Sequence, residues 1–599
     1  MQLFVKRNIT LLLVILVMGL GYSQDFKNIR IQSHNDYLQK TPFWTAYTSG
    51  LNLLEADVFL EKGQLFIAHT SKEINKVKTL EALYLKPLNQ LASTAEDLHK
   101  DLFLMIDVKS EALATLEAII KNLKEYPQVI HHPHIKIVIS GNRPNSDSYH
   151  QYPSFISFDY QEIETTLSAK NLAKVDMISV DFKKYTEWNG KGRLTHADYD
   201  KVTAVINQAK KFQKPFRFWG TPDSKTAWRT FLELGVDVIN TDQPKKCATY
   251  VSSLKHRTVQ AKISSEVYKP TFKYDKAKGK IKNIILLIGD GNGLSQISSA
   301  TLANSGALTL TQLKNIGLIK TQAADDFTTD SAAAGTALAT GKKTNNRAIG
   351  TDVHGNALKN ITEILHQKGF ATGVITTDEI TGATPSAFYA HQKDRSEKDK
   401  IAKDLVQSKL DFFAGGGSKT FENLGIEKSF SVVNSVAELT TSKAKRTGLF
   451  FSEKGVSSIL TGRGNLLAET TKAGLQFLKK KEKPFFLMVE AAQIDSFGHA
   501  NNTEGIVLEG IDFDRAITEA IQFADENKGT LVIVTADHET SGFGVASGSV
   551  EHHSIEGGFI THDHTGSMVP IFAYGPQANR FSGVYENNEV FEKIIESLK

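Results

Sequence analysis

The sequence predicts two α/β domains in tandem, a (β/α)8 TIM-like barrel followed by a doubly wound sheet. First, its 599 residues exceed the roughly 250–300 residues that a single hydrophobic core serves. Second, eight short apolar runs alternate with helix-like segments over residues 29–244, as in a closed barrel of parallel strands. Third, apolar runs restart at Asn283, and continuous runs are typical of strands buried on both faces.

The first 23 residues have the order of a signal peptide. Lys6 and Arg7 precede an apolar run at residues 11–18, and small residues follow at 21–23. The alternative, an N-terminal membrane anchor, requires a longer apolar run to cross a bilayer. We therefore predict an exported protein, periplasmic or secreted, with no stable membrane anchor.

Composition narrows the classes of partner and of stabilising bond. Lys and Arg number 70 against 66 Asp and Glu, a formal net charge of +4, and no long basic run is present, so no nucleic-acid partner is predicted. Cys247 is the single cysteine, which excludes an intramolecular disulfide. Core packing, bound metals or both must therefore stabilise the fold.

The runs predicted as barrel strands are short, apolar and bounded by polar turns. They are Ile29–Ser33, Leu53–Phe59, Leu102–Val108, Ile135–Ser140, Phe155–Asp159, Asp176–Val180, Pro215–Trp219 and Val236–Asn240. Gln64–Ala68 adds a hairpin-like strand. We place the barrel domain at residues 24–245, a lysine-rich linker at 246–282 and the second domain at 283–599.

In the second domain, three predicted strands run into acidic residues. The candidate acids follow the first, third and fourth of the four strands predicted in this domain, which are Ile284–Ile288, Thr372–Thr376, Pro484–Val489 and Thr530–Thr535. The acids that follow are Asp290, Glu490 and Asp537. Ligand sites of open α/β sheets lie beyond the carboxyl ends of the strands, so we expect these acids to converge on one crevice. A single acid at a strand end is more often a helix cap or a turn residue.

Histidines with metal-ligand spacing accompany these acids. Asp495 and His499 are four residues apart and so share one face of a helix. His538 directly follows Asp537, and His564 lies further along the chain. Sets of carboxylates and imidazoles suit zinc, and paired zinc ions act on both oxygens of a phosphoryl transfer. A lone histidine would more often be a surface or packing residue.

Ser331 begins a run of small helix-forming residues. One interpretation is the N-cap of an alanine-rich helix. The other is a nucleophile, because a helix N-terminus favours a bound phosphate and a nearby metal would lower the pKa of the hydroxyl. The segment alone leaves both interpretations open.

Six separated motifs occur in a fixed order along the second domain. They are Gly289-Asp290-Gly291, residues 329–341, Ala383-Thr384-Pro385, Glu490 with Asp495 and His499, Asp537-His538-Glu539-Thr540, and His564-Thr565-Gly566. Together they closely resemble the alkaline phosphatase family over about residues 283–599. The resemblance implies a phosphoric monoester hydrolase that works through a phosphoserine intermediate.

The same resemblance implies roles for individual residues. One zinc ion would be held by Asp495, His499 and His564, and a second by Asp290, Asp537 and His538. One magnesium ion would be held by Asp290, Thr384 and Glu490. The nucleophile would be Ser331. Arg395, positioned by Asp330, would clamp the phosphate with its planar guanidinium fork.

Two positions depart from the family pattern. Many members have Asp or His where this sequence has Gly382, and Lys, His or Trp where it has Ser496. Both positions belong to the outer shell around metal and phosphate, whose groups tune affinity and pKa. We therefore expect the departures to alter magnesium binding and the pH optimum, and to leave the reaction unchanged.

The predicted barrel strands also end in acids and histidines. These are His34 after the first strand, Glu55 and Asp57 in the second, His69 after the hairpin, and Asp107 with Lys109 at the end of the third. Barrel active sites lie at the carboxyl ends of the strands. Two histidines as acid and base, beside carboxylates that bind a hard cation, suit cleavage of a phosphodiester.

This pattern resembles the phosphatidylinositol phospholipase C and glycerophosphodiester phosphodiesterase superfamily over about residues 27–245. By that resemblance, the acid and base would be His34 and His69. The ligands of a Ca²⁺ or Mg²⁺ ion would be Glu55, Asp57 and Asp107, and Lys109 would bind substrate. Asn35 and Thr70 stand where the superfamily has Arg and Asp, and the missing Arg removes a cation that would bind phosphate.

The main hypothesis is an exported bifunctional enzyme. The barrel would cleave a phosphodiester, such as a glycerophosphodiester or a phosphoinositide, and the second domain would strip the resulting monoester to phosphate. The alternative is that only the phosphatase is active and the barrel binds a lipid headgroup or docks a partner. A homodimer is expected only by analogy with the alkaline phosphatase family.

Overall fold

A computed structural model describes three stretches of chain, residues 29–94, 101–276 and 278–599. The predicted signal peptide, residues 1–23, lies outside them. The described residues form two compact units, one ending at Leu254 and the other beginning at Lys255. Within these stretches, no helix combines the length and apolar character that crossing a membrane requires.

The first unit, as far as it is described, is built on a nine-stranded sheet. Its strands are β1 (Arg30–Ser33), β2 (Leu53–Glu61), β3 (Gln64–Ile67), β4 (Leu102–Val108), β5 (Ile135–Gly141), β6 (Ile156–Tyr160), β7 (Val175–Asp181), β8 (Phe216–Trp219) and β9 (Val238–Thr241). β3 pairs antiparallel to β2. The other strands are parallel in the order β1-β9-β8-β7-β6-β5-β4-β2, and pairing of β2 with β1 closes them into the predicted barrel.

The two-residue period of the strands sorts the barrel side chains into two layers. Leu54 and Ala56 of β2 belong to the large core that packs against the surrounding helices. Leu53 of β2 belongs instead to a small separate cluster with Met105 and Val238. The α-helices are Trp44–Thr48, Lys86–Thr94, Ala112–Lys124, Pro127–Ile130, Ala169–Leu172, His196–Lys210, Lys225–Glu233 and Pro244–Arg257.

The second unit contains a mixed ten-stranded sheet among its described residues. The strands of this unit are β10 (Thr258–Gln260), β11 (Asn283–Gly289), β12 (Asn315–Lys320), β13 (Ala371–Glu379), β14 (Phe412–Gly416), β15 (Ser431–Val433), β16 (Thr447–Phe450), β17 (Phe485–Ala491), β18 (Thr530–Ala536), β19 (Glu539–Thr540), β20 (Gly544–Ser549), β21 (Ser554–Gly558), β22 (His564–Thr565), β23 (Val569–Tyr574) and β24 (Gly583–Glu586). The large sheet has the order β15-β16-β14-β13-β17-β11-β18-β23-β12-β24.

Both faces of this sheet are covered, as a doubly wound fold requires. Alternate residues of β11 enter different cores: Ile285 and Leu287 pack on one side, and Ile284 and Leu286 on the other. The α-helices of this unit are Leu294–Ala303, Ser331–Thr340, Ile361–Gln367, Ala383–Ser386, Lys398–Gln407, Val436–Thr441, Leu466–Lys479, Gln493–His499, Thr503–Glu526 and Glu589–Ser597. The fold class predicted from the continuous apolar runs is confirmed.

The lysine-rich stretch 246–282, predicted as a linker, contains regular structure. It holds most of the helix Pro244–Arg257, followed by β10, which pairs antiparallel with β21. Further on, the Tyr268 hydroxyl donates to Asp525 at 2.8 Å. Cys247, Tyr250 and Leu254 belong to the core of the first unit, whereas buried Val259 and these hydrogen bonds attach the part from Lys255 onward to the second unit.

Candidate metal and phosphate sites

The central strands of the second unit deliver acids to one edge of the sheet. β11 pairs with β17 and β18 in register, so that Ile288 lies beside Glu490 and Gly289 beside Ala536. Asp290 and Asp537 therefore follow neighbouring strand ends. The three acids predicted to converge do so because their strands are adjacent and parallel.

The first cluster consists of Asp495, His499 and His564. The two imidazole Nε2 atoms lie 3.1 Å apart, and each is 3.4 Å from an oxygen of Asp495. Ligands about 2.0–2.1 Å from a tetrahedral zinc lie about 3.3–3.4 Å from one another. His499 faces Oδ2 of Asp495 and His564 faces Oδ1, and these separations match those between neighbouring ligands of one zinc ion.

The second cluster has the same spacing and includes the serine. His538 Nε2 lies 3.4 Å from Asp290 Oδ1 and 3.3 Å from Asp537 Oδ2. Ser331 Oγ lies 3.2 Å from the same Nε2. Both carboxylate oxygens are buried with no hydrogen-bond partner, a costly state that a bound cation would relieve. This set fits a second zinc with Ser331 at one corner.

Each imidazole holds its proton on the nitrogen that faces away from its cluster. His499 Nδ1 and His564 Nδ1 lie 2.6 and 2.7 Å from backbone carbonyls, which can only accept, so both Nδ1 atoms donate. His538 Nδ1 lies 3.2 Å from the Thr540 hydroxyl, whose own proton goes to Asp495. All three Nε2 atoms therefore face their clusters, and a metal would bind them in their deprotonated form, as hydrogen bonds to the far nitrogen of a ligating histidine commonly arrange.

Burial and crowding of like charges shift the pKa values of these groups strongly. Burial raises the pKa of Asp537 to about 6 and that of Glu490 to about 8, with neighbouring carboxylates adding to both shifts. Burial lowers the pKa of His538 to about 3, which leaves its imidazole neutral. The hydrogen bond to Asp495 raises the pKa of His499 to about 9. Strong shifts of this kind are typical of functional sites.

Ser331 is the first residue of a helix whose N-cap is Asp330, so the interpretation of Ser331 itself as the N-cap is wrong by one residue. Asp330 is the N-cap, and its side chain accepts a hydrogen bond from Ala333 N at 2.9 Å. The other oxygen of Asp330 lies 3.1 Å from Arg395 Nη1. Ser331 is only 3% exposed and lies at the positive end of its helix, where the dipole and free N–H groups favour an anion.

The residues predicted to hold magnesium lie beside the second cluster. Thr384 is 1% exposed, and its hydroxyl has no hydrogen-bond partner. Glu490 accepts a hydrogen bond from the Thr376 hydroxyl on the adjacent strand. With Asp290 these groups are all oxygen donors, the type that Mg²⁺ prefers.

At the carboxyl end of the barrel, each predicted histidine is paired with a carboxylate. His34 Nδ1 donates to Asp242 at 2.7 Å, and its Nε2 lies 3.7 Å from Glu55 Oε1. His69 Nδ1 lies 3.0 Å from Asp57 Oδ2. Glu55 raises the pKa of His34 against the effect of burial, and Asp242 adds to the rise. A cavity of about 710 Å³ opens beside His34 and Asp242, with Trp188 in its lining.

One arginine and one lysine side chain lie among the barrel acids. Arg217 Nη1 is 2.6 Å from Glu55, and both side chains are buried. Lys109 Nζ lies 2.9 Å from Asp107 and 3.2 Å from Asp57. The pKa of Glu55 is lowered by Arg217 in spite of its burial. These cations neutralise part of the charge that a metal would otherwise neutralise.

The barrel acids nevertheless retain atoms that fit a divalent cation. Glu55, Asp57 and Asp107 each present an oxygen within 4.8 Å of the others. One oxygen of Asp57 and one of Asp107 are buried without a hydrogen-bond partner. Burial, with the charge of Glu55, raises the pKa of Asp107 to about 6. Added positive charge would stabilise this arrangement.

The structure thus gathers the predicted site residues into two groups, one in each unit. Sequence reasoning missed two residues of the barrel, Arg217 and the carboxylate partner of His34, Asp242. Arg217 stands within an apolar run, and a charge inside a buried strand is itself a signal. Asp242 follows the last barrel strand, but nothing local indicates a contact that spans 208 residues of sequence.

Comparison with known proteins gives matches in both units. The alkaline phosphatase family model matches residues 281–556 and 546–599. An AIM6-like phosphodiesterase domain matches residues 21–100, and the glycerophosphoryl diester phosphodiesterase family matches residues 215–245.

Individual relatives align with the second part of the chain. Alkaline phosphatase 4 of Bacillus subtilis (strain 168) is 32% identical over 418 residues, covering 55% of this chain and 90% of that protein. The alkaline phosphatase of Escherichia coli (strain K12) is 32% identical over 405 residues, covering 53% and 86%. The solved structure of alkaline phosphatase from the Antarctic bacterium TAB5 is 41% identical, with a TM-score of 0.51, and covers 53% of this chain and 98% of that one.

Proposed function

The chain belongs to the alkaline phosphatase family and is a phosphoric ester hydrolase, and we propose that it is an exported phosphomonoesterase with Ser331 as its nucleophile. The observation that carries the proposal is the position of Ser331 Oγ, 3.2 Å from His538 Nε2 and so at a corner of the second metal cluster. Small phosphate monoesters are the proposed substrates.

In the proposed reaction, Ser331 Oγ attacks phosphorus and forms an Oγ–P bond while the P–O bond to the leaving alcohol breaks. Water then attacks the phosphoserine, the Oγ–P bond breaks and phosphate leaves. Asp330 holds one nitrogen of the Arg395 guanidinium, which leaves the others to bind two phosphate oxygens. The N-terminus of the helix Ser331–Thr340 adds a favourable field for the anion.

The donors of both clusters fit zinc, and those beside Glu490 fit magnesium. When bound, two zinc ions would lower the pKa of the Ser331 hydroxyl and stabilise charge on the leaving oxygen. The protein orients the imidazole ligands in advance, because His499, His538 and His564 each point Nε2 at the cluster by donating through Nδ1.

For the barrel, we propose hydrolysis of a phosphodiester that supplies a monoester to Ser331. His34 and His69 supply the acid and base, because each imidazole is held by a carboxylate at hydrogen-bond distance. Glu55, Asp57 and Asp107 are the proposed ligands of a Ca²⁺ or Mg²⁺ ion. The second candidate is a barrel that only binds, favoured by the loss of the superfamily Arg at Asn35 and by the engagement of Lys109 with two acids.

Paired variants of the full chain test both activities. Ser331→Ala should lower monoesterase activity at least about 10³-fold and leave diesterase activity unchanged. His34→Ala should do the reverse, with a loss of about 10²–10⁴-fold. The matched control for Ser331→Ala is Ser299→Ala, at another buried serine of a helix. The matched control for His34→Ala is His134→Ala, because His134 is also paired with an acid, Asp101.

The outcomes separate the candidates. Monoester hydrolysis that survives Ser331→Ala would refute the nucleophile assignment. If the wild type cleaves no diester, or if His34→Ala cleaves diesters as fast as the wild type, the barrel is not the diesterase that we propose. Measurable binding of glycerophosphodiesters without turnover would then favour the binding role.

A further inference from the structure

Many members of the alkaline phosphatase family have Asp or His at the position of Gly382. The backbone conformation of Gly382 does not itself require a glycine. Its φ of −59° and ψ of 163° are accessible to any residue. The obstacle to a side chain is instead steric. A Cβ at this position would lie 2.3 Å from Asp378 Oδ2 and 3.1 Å from Asp378 Cγ. The carboxylate of Asp378 therefore occupies the space that a side chain at residue 382 would enter.

Asp378 reaches this space from the end of β13, close to the oxygen donors already described. Its backbone N–H donates to the Thr376 hydroxyl at 2.9 Å, and that hydroxyl donates to Glu490. Two residues beyond Gly382 lies Thr384, whose buried hydroxyl is unpartnered. Thr384 therefore offers a neutral oxygen donor on the same segment as Gly382, of the kind that Mg²⁺ accepts.

The charges around Asp378 also leave it available to a cation. Its neighbour Glu379 is paired with Lys398. Among the described residues, Asp378 itself forms no ion pair. The charges of Lys398 and Arg395 act on Asp378 from beyond ion-pair distance.

We propose that Asp378 supplies to the magnesium site the carboxylate that Gly382 lacks, together with Asp290, Glu490 and Thr384. This inference rests on the proposed function, in which those three residues hold magnesium. Mg²⁺ retains several waters and takes one or two carboxylates, so Asp378 binds it directly or through one of those waters. The carboxylate then comes from residue 378 instead of residue 382, and the negative charge at the site is kept.

The test is the metal content of the purified holoenzyme, with Asp378→Asn as the variant and Glu379→Gln as the matched control. Both changes remove one charge and keep the shape. Asp378→Asn should weaken binding of Mg²⁺, titrated as the free ion, about 10–100-fold and leave two zinc ions per chain by elemental analysis. Glu379→Gln should leave both metals unchanged.

A carboxylate swap adds a second readout. Asp378→Ala should lose magnesium, and Asp378→Ala/Gly382→Asp should regain it, because the acid returns to the same space from the other residue. Magnesium affinity in Asp378→Asn equal to that of the wild type, or an equal loss in Glu379→Gln, would overturn the inference. Monoester turnover by the zinc-loaded wild type is scored separately, so failure of the proposed function is distinguishable.

Discussion

The two units place clusters of acids at the same end of parallel strands, but they balance the charge differently. In the barrel, the balancing cations are side chains: Arg217 lies 2.6 Å from Glu55, and Lys109 lies between two further acids. In the second unit, Asp290 Oδ1 and Asp537 Oδ2 are buried without a hydrogen-bond partner, and among the described residues no lysine or arginine forms an ion pair with either acid. Uncompensated buried charges cost several kcal/mol each, so the second arrangement requires ions from solution.

This difference in charge balance implies that the two units depend on metal to different extents. A barrel with built-in cations folds around its acids whether or not a divalent ion is bound. The phosphatase site reaches its lowest free energy only with its ions, because its ligands otherwise repel one another. Metal removal should therefore affect the stability of the two units to different extents.

Chelation gives the largest expected effect. At free zinc about 1,000-fold above Kd, each bound ion stabilises the folded state by about 4 kcal/mol. Removing both ions should abolish monoesterase activity and accelerate hydrogen exchange around Gln493–His499 by more than about 10³-fold. Exchange in β2 and β4 of the barrel should change little. Equal acceleration in the barrel strands, followed peptide by peptide by mass spectrometry, would contradict the contrast.

Removing a built-in cation should make the barrel resemble the other site. Arg217→Met leaves Glu55 buried without its arginine partner, with only Gln32 and the more distant His34 beside it, which should cost about 3–5 kcal/mol of unfolding free energy. Added Ca²⁺ or Mg²⁺ should recover part of that loss in the variant and less in the wild type. Lys86→Met, which breaks an exposed ion pair with Glu81, should cost at most about 1 kcal/mol. Denaturant titration with and without the ion measures both.

How much of this could be predicted from sequence depends on the range of each interaction. The strands and the acids that end them follow from local alternation and from the rule that strand ends carry sites, so Asp290, Glu490 and Asp537 were found. Arg217 and Asp242 were missed because their partners are 162 and 208 residues away. Asp378 could not be recognised from the sequence for a similar reason, because its proposed role depends on the space that Gly382 leaves by having no side chain.

The two units also differ in the groups that orient their histidine side chains. In the phosphatase site, backbone carbonyls and a hydroxyl orient the imidazoles, whereas in the barrel Asp242 orients His34. Asp242→Asn should lower diesterase kcat about 10–100-fold, because the tautomer is no longer fixed. Since Asp242 contributes to the raised pKa of His34, the limb of the pH profile that His34 governs should move to lower pH. An unmoved limb in the pH–rate profile would separate Asp242 from His34.

Proton release on metal binding gives the smallest and most direct signal of the difference. Without metal, Glu490 has a pKa of about 8 and His499 of about 9, so both hold protons at pH 7. A metal ion binds only the deprotonated forms and must displace those protons. Loading the apo second unit with zinc at pH 7 should therefore release the proton of His499, and filling its magnesium site should release that of Glu490, whereas at pH 10 both groups are already mostly deprotonated.

In the barrel, Asp107 has a pKa of about 6, so it is already mostly ionised at pH 7 and has little to release. Calorimetric titration of the apo full chain, with zinc and then with Ca²⁺, in buffers of different ionisation enthalpy counts the protons at each step. Equal counts at pH 7 and pH 10 for the zinc step would mean that the crowded acids and imidazoles do not hold protons. The contrast between built-in and borrowed cations would then lose its electrostatic basis.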